Sequence, residues 1–92
     1  MIGLNTRIVA SSNQISTEIP DETVILDVAR GVYYGLDEVG TFIWNYVQSP
    51  QTVQAVVDAL TTEYEVGQEQ AAHDAVQLLN RLQEMGLLQV VA

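Results

Sequence analysis

Apolar and polar residues alternate along the first third of the chain, and this pattern predicts strands. Segment 15–19 alternates with period two, which indicates a half-buried strand. After the turn residues 20–22, the run 23–28 is dominated by β-branched residues and leucine. The glycine-containing connection 29–31 leads into 32–35, so the last two strands are expected to form a hairpin. The side of the first strand predicted to be buried consists of Ile15, Thr17 and Ile19.

The period changes to that of an α-helix after Leu36. Apolar residues between 39 and 47 recur at helical spacing, Asp37 is a good N-cap, and Ser49-Pro50 ends the helix. A second amphipathic helix begins near Thr52, with Ser49 and Thr52 as alternative caps, and Gly67 is expected to end it.

The third helix is predicted over 68–85, with Gly86 at the position that favours a left-handed backbone. Its buried arc centres on Ala71, Ala75, Leu78 and Leu82. The apolar run 87–91 predicts a short terminal edge strand, whereas Ile8 and Val9 leave two alternatives open, a further strand or a loose arm. The fold class predicted is α+β and resembles a winged helix-turn-helix: an N-terminal antiparallel three-stranded sheet, three helices and a short terminal strand in one domain, 1–92.

Composition narrows the functional classes. The 92 residues include 12 acids and only three arginines, with no lysine, so the net charge is −9. This balance argues against binding to nucleic acid or to an anionic membrane. There is no cysteine, which excludes disulfides and thiolate chemistry, and no apolar run is long enough to cross a membrane. We therefore expect a cytoplasmic protein.

Groups that carry catalysis are scarce. The one histidine, His73, follows Glu69 by four residues, but a metal site needs three or four ligands, so His73 is interpreted as a solvated surface residue. The glycines are scattered, and no serine has the neighbours that an acyl carrier requires. We expect no enzymatic activity, no metal and no cofactor.

Several strings, in order, resemble the PqqD-like family over about residues 15–90. They are Val24-Ile-Leu-Asp-Val, Arg30-Gly-Val-Tyr-Tyr-Gly-Leu-Asp-Glu-Val-Gly, Ile43-Trp44, Thr52-Val, Leu60, Asp74 through Leu78-Leu79, and Gly86-Leu87. The chain most resembles the stand-alone leader-binding proteins of lasso-peptide clusters, in which asparagine usually stands at the position of Asp37. The resemblance implies a non-catalytic recognition element that holds the leader of a ribosomally made precursor peptide. It implies as partners this leader, a separate transglutaminase-like leader peptidase and the cyclase, with the free protein a monomer.

The residues also suggest where a leader would bind. Strand 32–34 is expected at the sheet edge, where an extended peptide can add a strand. The third helix would supply the groove beside it. The predicted peptide-binding residues are Val32, Tyr33, Tyr34, Asp74, Leu78 and Arg81. Each has a plainer interpretation as core or solvated surface, whereas Ile43 and Trp44 are assigned to the core, and Gly35 and Gly40 to tight turning or close packing.

Three other functions stay open at this point. The chain would fit a PqqD-like chaperone for a radical maturation enzyme. A winged-helix DNA-binding protein is disfavoured by charge, because helix 68–85 offers Arg81 against Glu69, Asp74 and Glu84. A protein-interaction or dimerisation module would pair an exposed edge strand with itself or with another protein.

Overall fold

The computed structural model describes residues 2–12 and 14–91, and it confirms the predicted α+β fold. The strands of this part are β1 (Arg7–Ala10), β2 (Gln14–Ile19), β3 (Glu22–Asp27), β4 (Val32–Leu36), β5 (Gln51–Thr52) and β6 (Leu88–Val91). The helices are α1 (Glu38–Tyr46), α2 (Val53–Glu63) and α3 (Gln68–Glu84).

Strands β2, β3 and β4 form one antiparallel sheet in that order. Ile25 in the central strand lies opposite Ser16 on one side and Tyr34 on the other. The β2–β3 connection is the two-residue turn Pro20-Asp21, where Asp21 has φ of 64°. Proline fits the first central position of a type II turn, and a positive φ is required at the second. Because β3 is the central strand of this sheet, β2 and β4 are both edge strands.

A second small sheet, in the order β5-β1-β6, joins the two ends of the chain. Ile8 lies opposite Gln51 and Val90, and all three strands run antiparallel to their neighbours. The Ile8–Val9 segment is thus a strand rather than a loose arm, and the predicted terminal strand is confirmed as an edge.

Local chemistry sets the helix starts. The Asp37 carboxylate accepts the Gly40 N–H at 2.8 Å, as expected for the cap of α1. The Thr52 hydroxyl accepts the Ala55 N–H at 3.1 Å, which decides the cap of α2 in favour of Thr52. The expectation that Gly67 ends α2 is wrong: the helix ends at Glu63, because Tyr64 turns extended and its ring packs edge-on against Phe42.

The core lies between the three helices, the second sheet and the inner face of the first sheet, the face that carries Ile25. Ile43 and Trp44 are buried in it, as predicted. The buried arc of α3 is formed by Ala71, Ala75, Leu79 and Leu82. Leu78 is therefore not at the centre of this arc. It is half-buried at the edge of this arc, whereas the neighbouring Leu79 is fully buried.

The expectation of a half-buried β2 is wrong. Ile15 is 59% exposed and Ile19 is 44% exposed. The register places Ile15, Leu26 and Tyr33 side by side on the outer face of the sheet, and α1 packs on the opposite face. The alternation of apolar and polar residues over 15–19 correctly predicts a strand, but it does not show whether another element covers the apolar side.

Candidate functional site

Strand β4 offers a free backbone edge. The two-residue turn closes the β2–β3 hairpin with the hydrogen-bonded pair Ile19–Glu22, and bonding pairs alternate from there across the sheet. On β4 the bonding partners of β3 are therefore Val32, Tyr34 and Leu36. The N–H and C=O groups of Tyr33 and Gly35 point away from the sheet, which is the arrangement that accepts a further strand.

A groove of about 500 Å³ lies between the end of β4, the first half of α1 and the middle of α3. The wall that β4 and α1 form is mostly apolar, and the wall that α3 forms is mostly polar. The lining residues are Gly35, Leu36, Asp37, Val39, Gly40, Ile43, Asp74, Gln77, Leu78 and Arg81. A groove of this size with an apolar floor and a few polar groups can hold several side chains of an extended peptide.

Gly40 allows α1 to begin close to β4. A Cβ at this position would stand 3.2 Å from the Leu36 Cβ and 3.3 Å from a carboxylate oxygen of Asp37. The expected close packing is thus confirmed for Gly40. Neither tight turning nor close packing holds for Gly35, which lies within β4 without a positive φ and where a Cβ would meet no atom within 4 Å.

Opposite charges mark the α3 wall of the groove. Asp74 and Arg81 are exposed and lie two helical turns apart, on either side of the half-buried Leu78. The Gln70 side-chain amide donates to the Asp74 carboxylate at 2.9 Å. Arg81 makes no ion pair with any residue in the described ranges. Both charges are therefore available to a ligand in the groove.

The six predicted site residues divide into three places. Asp74, Leu78 and Arg81 line the groove together. Val32 and Tyr34 lie on the inner face of β4, where Val32 is 42% exposed and Tyr34 packs against the core. Tyr33 points to the outer face and is 68% exposed, so its side chain lies outside the groove although its backbone forms the edge. Their contact with a peptide stays a prediction.

Sequence reasoning missed part of the groove lining. Leu36, Val39 and Gln77 line the groove. Val39 belongs to the apolar stripe of α1, and that stripe alone indicated core, although Val39 is 37% exposed. The spacing Asp74, Gln77, Leu78, Arg81 on one helical face was the signal that could have found Gln77.

An aromatic cluster of Phe42, Tyr46 and Tyr64 packs on α1, and none of its residues lines the groove. Phe42 stacks on Tyr46 at a centroid distance of 6.2 Å and meets Tyr64 edge-on at 5.7 Å. Partial burial raises the pKa of the Tyr64 phenol, and the nearby negative charge of Glu38 raises it further. The cluster joins α1 to the end of α2.

In the described part of the chain, no three His, Asp or Glu side chains come together where they could hold a metal ion. Within residues 2–12 and 14–91, no helix has the length and apolar character to span a bilayer.

Comparisons with known proteins give consistent results. Residues 22–88 match the family described as coenzyme PQQ synthesis protein D (PqqD). A comparison with curated proteins finds no match. The solved structure of TbiB1 in complex with the TbiA(beta) leader peptide superposes with a TM-score of 0.83 at 33% identity, covering 91% of this chain and 98% of that one. Lasso peptide synthetase B1 complexed with the leader peptide has a TM-score of 0.79 at 24% identity, covering 89% and 96%, and shows likeness of fold.

Proposed function

The chain belongs to the PqqD family, and on that premise we propose that it recognises the leader segment of a ribosomally made precursor peptide. The observation that carries the proposal is the juxtaposition of the free β4 edge with the groove beside α3. Both similar solved structures are described as complexes with a leader peptide. Their similarity supports the same class of ligand for this chain.

The leader binds as a fourth strand of the β2-β3-β4 sheet. Its backbone pairs with the N–H and C=O groups of Tyr33 and Gly35. Because side chains alternate along a strand, every second leader residue then faces the inner side, toward Val32, Tyr34 and the groove. The remaining leader residues lie beside the Tyr33 ring on the outer face.

Backbone pairing alone is too weak to hold the leader. A few hydrogen bonds contribute roughly 0.5–1.5 kcal/mol each, and ordering a free peptide costs about 2–5 kcal/mol. Apolar anchors must supply the remainder, and the groove floor of Leu36, Val39 and Leu78 is placed to receive them. Each fully used anchor contributes about 1.5–3 kcal/mol.

The two charges of α3 give the groove a direction. Arg81 pairs with a leader carboxylate, and Asp74 accepts a hydrogen bond from a leader hydroxyl or amide. A leader bound in the reverse direction would exchange these partners. Direction and register are thereby selected by side chains, while the β4 edge supplies affinity that depends little on sequence.

The protein acts without catalysing a reaction. It delivers the bound precursor to a separate leader peptidase and then to a cyclase, in maturation of a lasso peptide. The lasso assignment is supported by the sequence resemblance to leader-binding proteins of lasso-peptide clusters, and the 33% identity to a protein solved with its leader peptide supports a leader as the ligand. The acidic surface, with a net charge of −9, would steer association with a basic patch on a partner enzyme.

Fluorescence polarisation with the labelled leader of the adjacent precursor gene tests the proposal. We expect a sub-micromolar dissociation constant that is lost when the leader is scrambled. A scrambled peptide that binds equally well would show attachment without sequence selection. Absence of binding up to about 100 μM, equivalent to roughly −5.5 kcal/mol, would contradict leader recognition by the isolated protein.

A cleavage assay tests the delivery step separately. The leader peptidase is incubated with the precursor, with and without this protein, and cleavage is followed by mass spectrometry. We expect faster cleavage with the protein present, and the same rate with or without it when the precursor carries the scrambled leader. Leader binding without any change in cleavage would contradict delivery while leaving recognition intact.

A further inference from the structure

The second free edge of the same sheet, strand β2, has the features of an interaction surface. The N–H and C=O groups of Ile15, Thr17 and Ile19 are used in the ladder with β3. Those of Ser16 and Glu18 point outward. The register with β3 is continuous over all six residues of β2, so no bulge interrupts the edge.

This edge carries one of the usual protections against strand pairing, the inner-face charge of Glu18. Natural edge strands are blocked by lysine, inward-pointing charge, bulges or a covering element. In β2 the one charged residue is Glu18, which lies on the inner face and accepts a hydrogen bond from the Asn45 side-chain amide of α1 at 2.7 Å. On the outer face the side chains of Ile15 and Ile19 are 59% and 44% exposed. The edge is therefore open to another strand, and its apolar side chains would gain cover from one.

We propose that β2 pairs antiparallel with β2 of a second copy of this chain, centred on Thr17. The sequence Ile15-Ser-Thr-Glu-Ile19 is nearly symmetric about its midpoint. Pairing about Thr17 sets Ile15 against the partner's Ile19 and Thr17 against the partner's Thr17. Opposed β-branched side chains of this kind stabilise antiparallel pairs. An edge that matches itself in this way is more specific for its own copy than for an unrelated strand.

Charge placement agrees with this register. Each Glu18 lies opposite the partner's Ser16, and the two Glu18 side chains do not face each other. One oxygen of the Glu18 carboxylate accepts from Asn45 of its own chain, and the other can accept from the partner's Ser16 hydroxyl. The outward N–H and C=O groups of Ser16 and Glu18 form the four bonds between the copies. The side chains that meet across the two β2 strands are thus compatible on both faces of the joined sheet.

The pairing is weak and reversible. An edge of five residues buries far less than the roughly 1,200–2,000 Å² of stable interfaces, and two copies of net charge −9 repel each other. A monomer–dimer equilibrium favoured by salt replaces the expectation of a simple monomer. Both β4 edges stay free at the two ends of the joined six-stranded sheet, so peptide binding and pairing do not exclude each other.

A single engineered thiol tests the register. The natural chain has no cysteine, so Thr17→Cys introduces the one thiol of the molecule. Directly opposed residues in a non-hydrogen-bonded pair have Cβ atoms about 4.5–5.5 Å apart, close to disulfide geometry. We expect disulfide-linked dimer to form roughly tenfold faster or more than with Thr62→Cys, an exposed site on α2, because pairing raises the effective thiol concentration. Equal rates for the two variants would overturn the proposal.

A charge-swap series tests the contact between the isoleucines in the same Thr17→Cys background. Adding Ile15→Lys and Ile19→Lys opposes like charges and should return the rate to that of Thr62→Cys. Adding Ile15→Lys and Ile19→Glu opposes unlike charges and should restore the rate. Because both side chains are largely exposed, the fold should tolerate these changes, and circular dichroism verifies it. Equal rates in the two charged variants would contradict the proposed register, whatever the result of the leader-binding assay.

Discussion

Thr23 in β3 donates its hydroxyl hydrogen to the hydroxyl of Thr41 in α1, at 2.9 Å, and both side chains are buried. The bond crosses from the first sheet to the helix that forms one wall of the groove. It fixes α1 against β3. The next inner-face residue of β3, Ile25, supplies only apolar contact. The orientation of the groove relative to the β4 edge therefore depends on a polar pair inside the core.

Replacing one member of this pair should cost more than its size suggests. Thr23→Val leaves the Thr41 hydroxyl without its buried partner, so we expect a loss of about 1–3 kcal/mol in the free energy of unfolding. The double variant Thr23→Val with Thr41→Val should lose less than the sum of the two single losses. Urea unfolding of all four proteins measures the coupling, and strictly additive losses would show that the bond contributes nothing.

Proline at two neighbouring positions of β4 should separate binding from folding. Tyr33→Pro removes an N–H that points away from the sheet, so it should abolish leader binding while the fold persists. Tyr34→Pro removes an N–H used in the ladder with β3, so it should lower the melting temperature as well. Polarisation binding and thermal unfolding on both variants make the comparison. Unchanged leader affinity in Tyr33→Pro would place the peptide at another edge.

Leu78 is expected to anchor the leader. Leu78→Ala removes half-buried apolar surface from the groove, so the dissociation constant should rise by roughly 5–30-fold, about 1–2 kcal/mol. Val76→Ala is the matched control, because Val76 is also half-buried on α3 but does not line the groove. Similar losses of affinity in the two variants would indicate a general effect on α3.

Two substitutions of Asp37 separate the hydrogen bond of the α1 cap from the charge of the carboxylate. Asp37→Ala removes the acceptor for the Gly40 N–H and should destabilise the protein by about 0.5–2 kcal/mol. Asp37→Asn retains an acceptor and should stay within a few tenths of a kcal/mol of the natural chain. Thermal unfolding measures both, since about 1 kcal/mol shifts the midpoint by roughly 4–8 °C in a domain of this size. Equal destabilisation in both variants would assign the effect to charge.

Alkaline conditions should weaken the fold through Tyr64. The pKa of its phenol is raised in the folded state above the ordinary value of 10.0. The resulting stabilisation is fully present below pH 10 and is lost as the pH rises through the raised folded value. Urea midpoints at pH 8 and pH 11 should therefore differ less in Tyr64→Phe than in the natural chain. A pH dependence unchanged by the substitution would assign it to other groups.

Features that depend on neighbouring residues could be predicted from the sequence. The cap of α1, the left-handed Gly86 at 77° and the hairpin of β3 with β4 follow from residues that are close along the chain. The pairing of β1 with β6 joins Ile8 to Val90, and no local pattern specifies such a partner. The same limit explains why the alternation at Ile15 and Ile19 predicts a buried side that the structure leaves exposed.

The candidate site was predictable in part for a related reason. Asp74, Leu78 and Arg81 share a helical face, so their neighbourhood follows from spacing alone. Leu36 and Val39 join them only because β4 and α1 meet at Gly40, which is a relationship between elements. Apolar residues that line an open groove carry the same sequence pattern as apolar residues in a core.

The attachment of the first sheet mainly through α1 has a consequence for amide hydrogen exchange. A sheet held at one face can open as a cooperative unit while the rest of the protein stays folded. A leader that binds only the closed sheet raises the free energy of this opening, by about 2.7 kcal/mol at a hundredfold excess over its dissociation constant. The β2 amides that bond to β3, those of Ile15, Thr17 and Ile19, would then gain protection together with the amides of β3, and occupancy of one edge could be followed at the other.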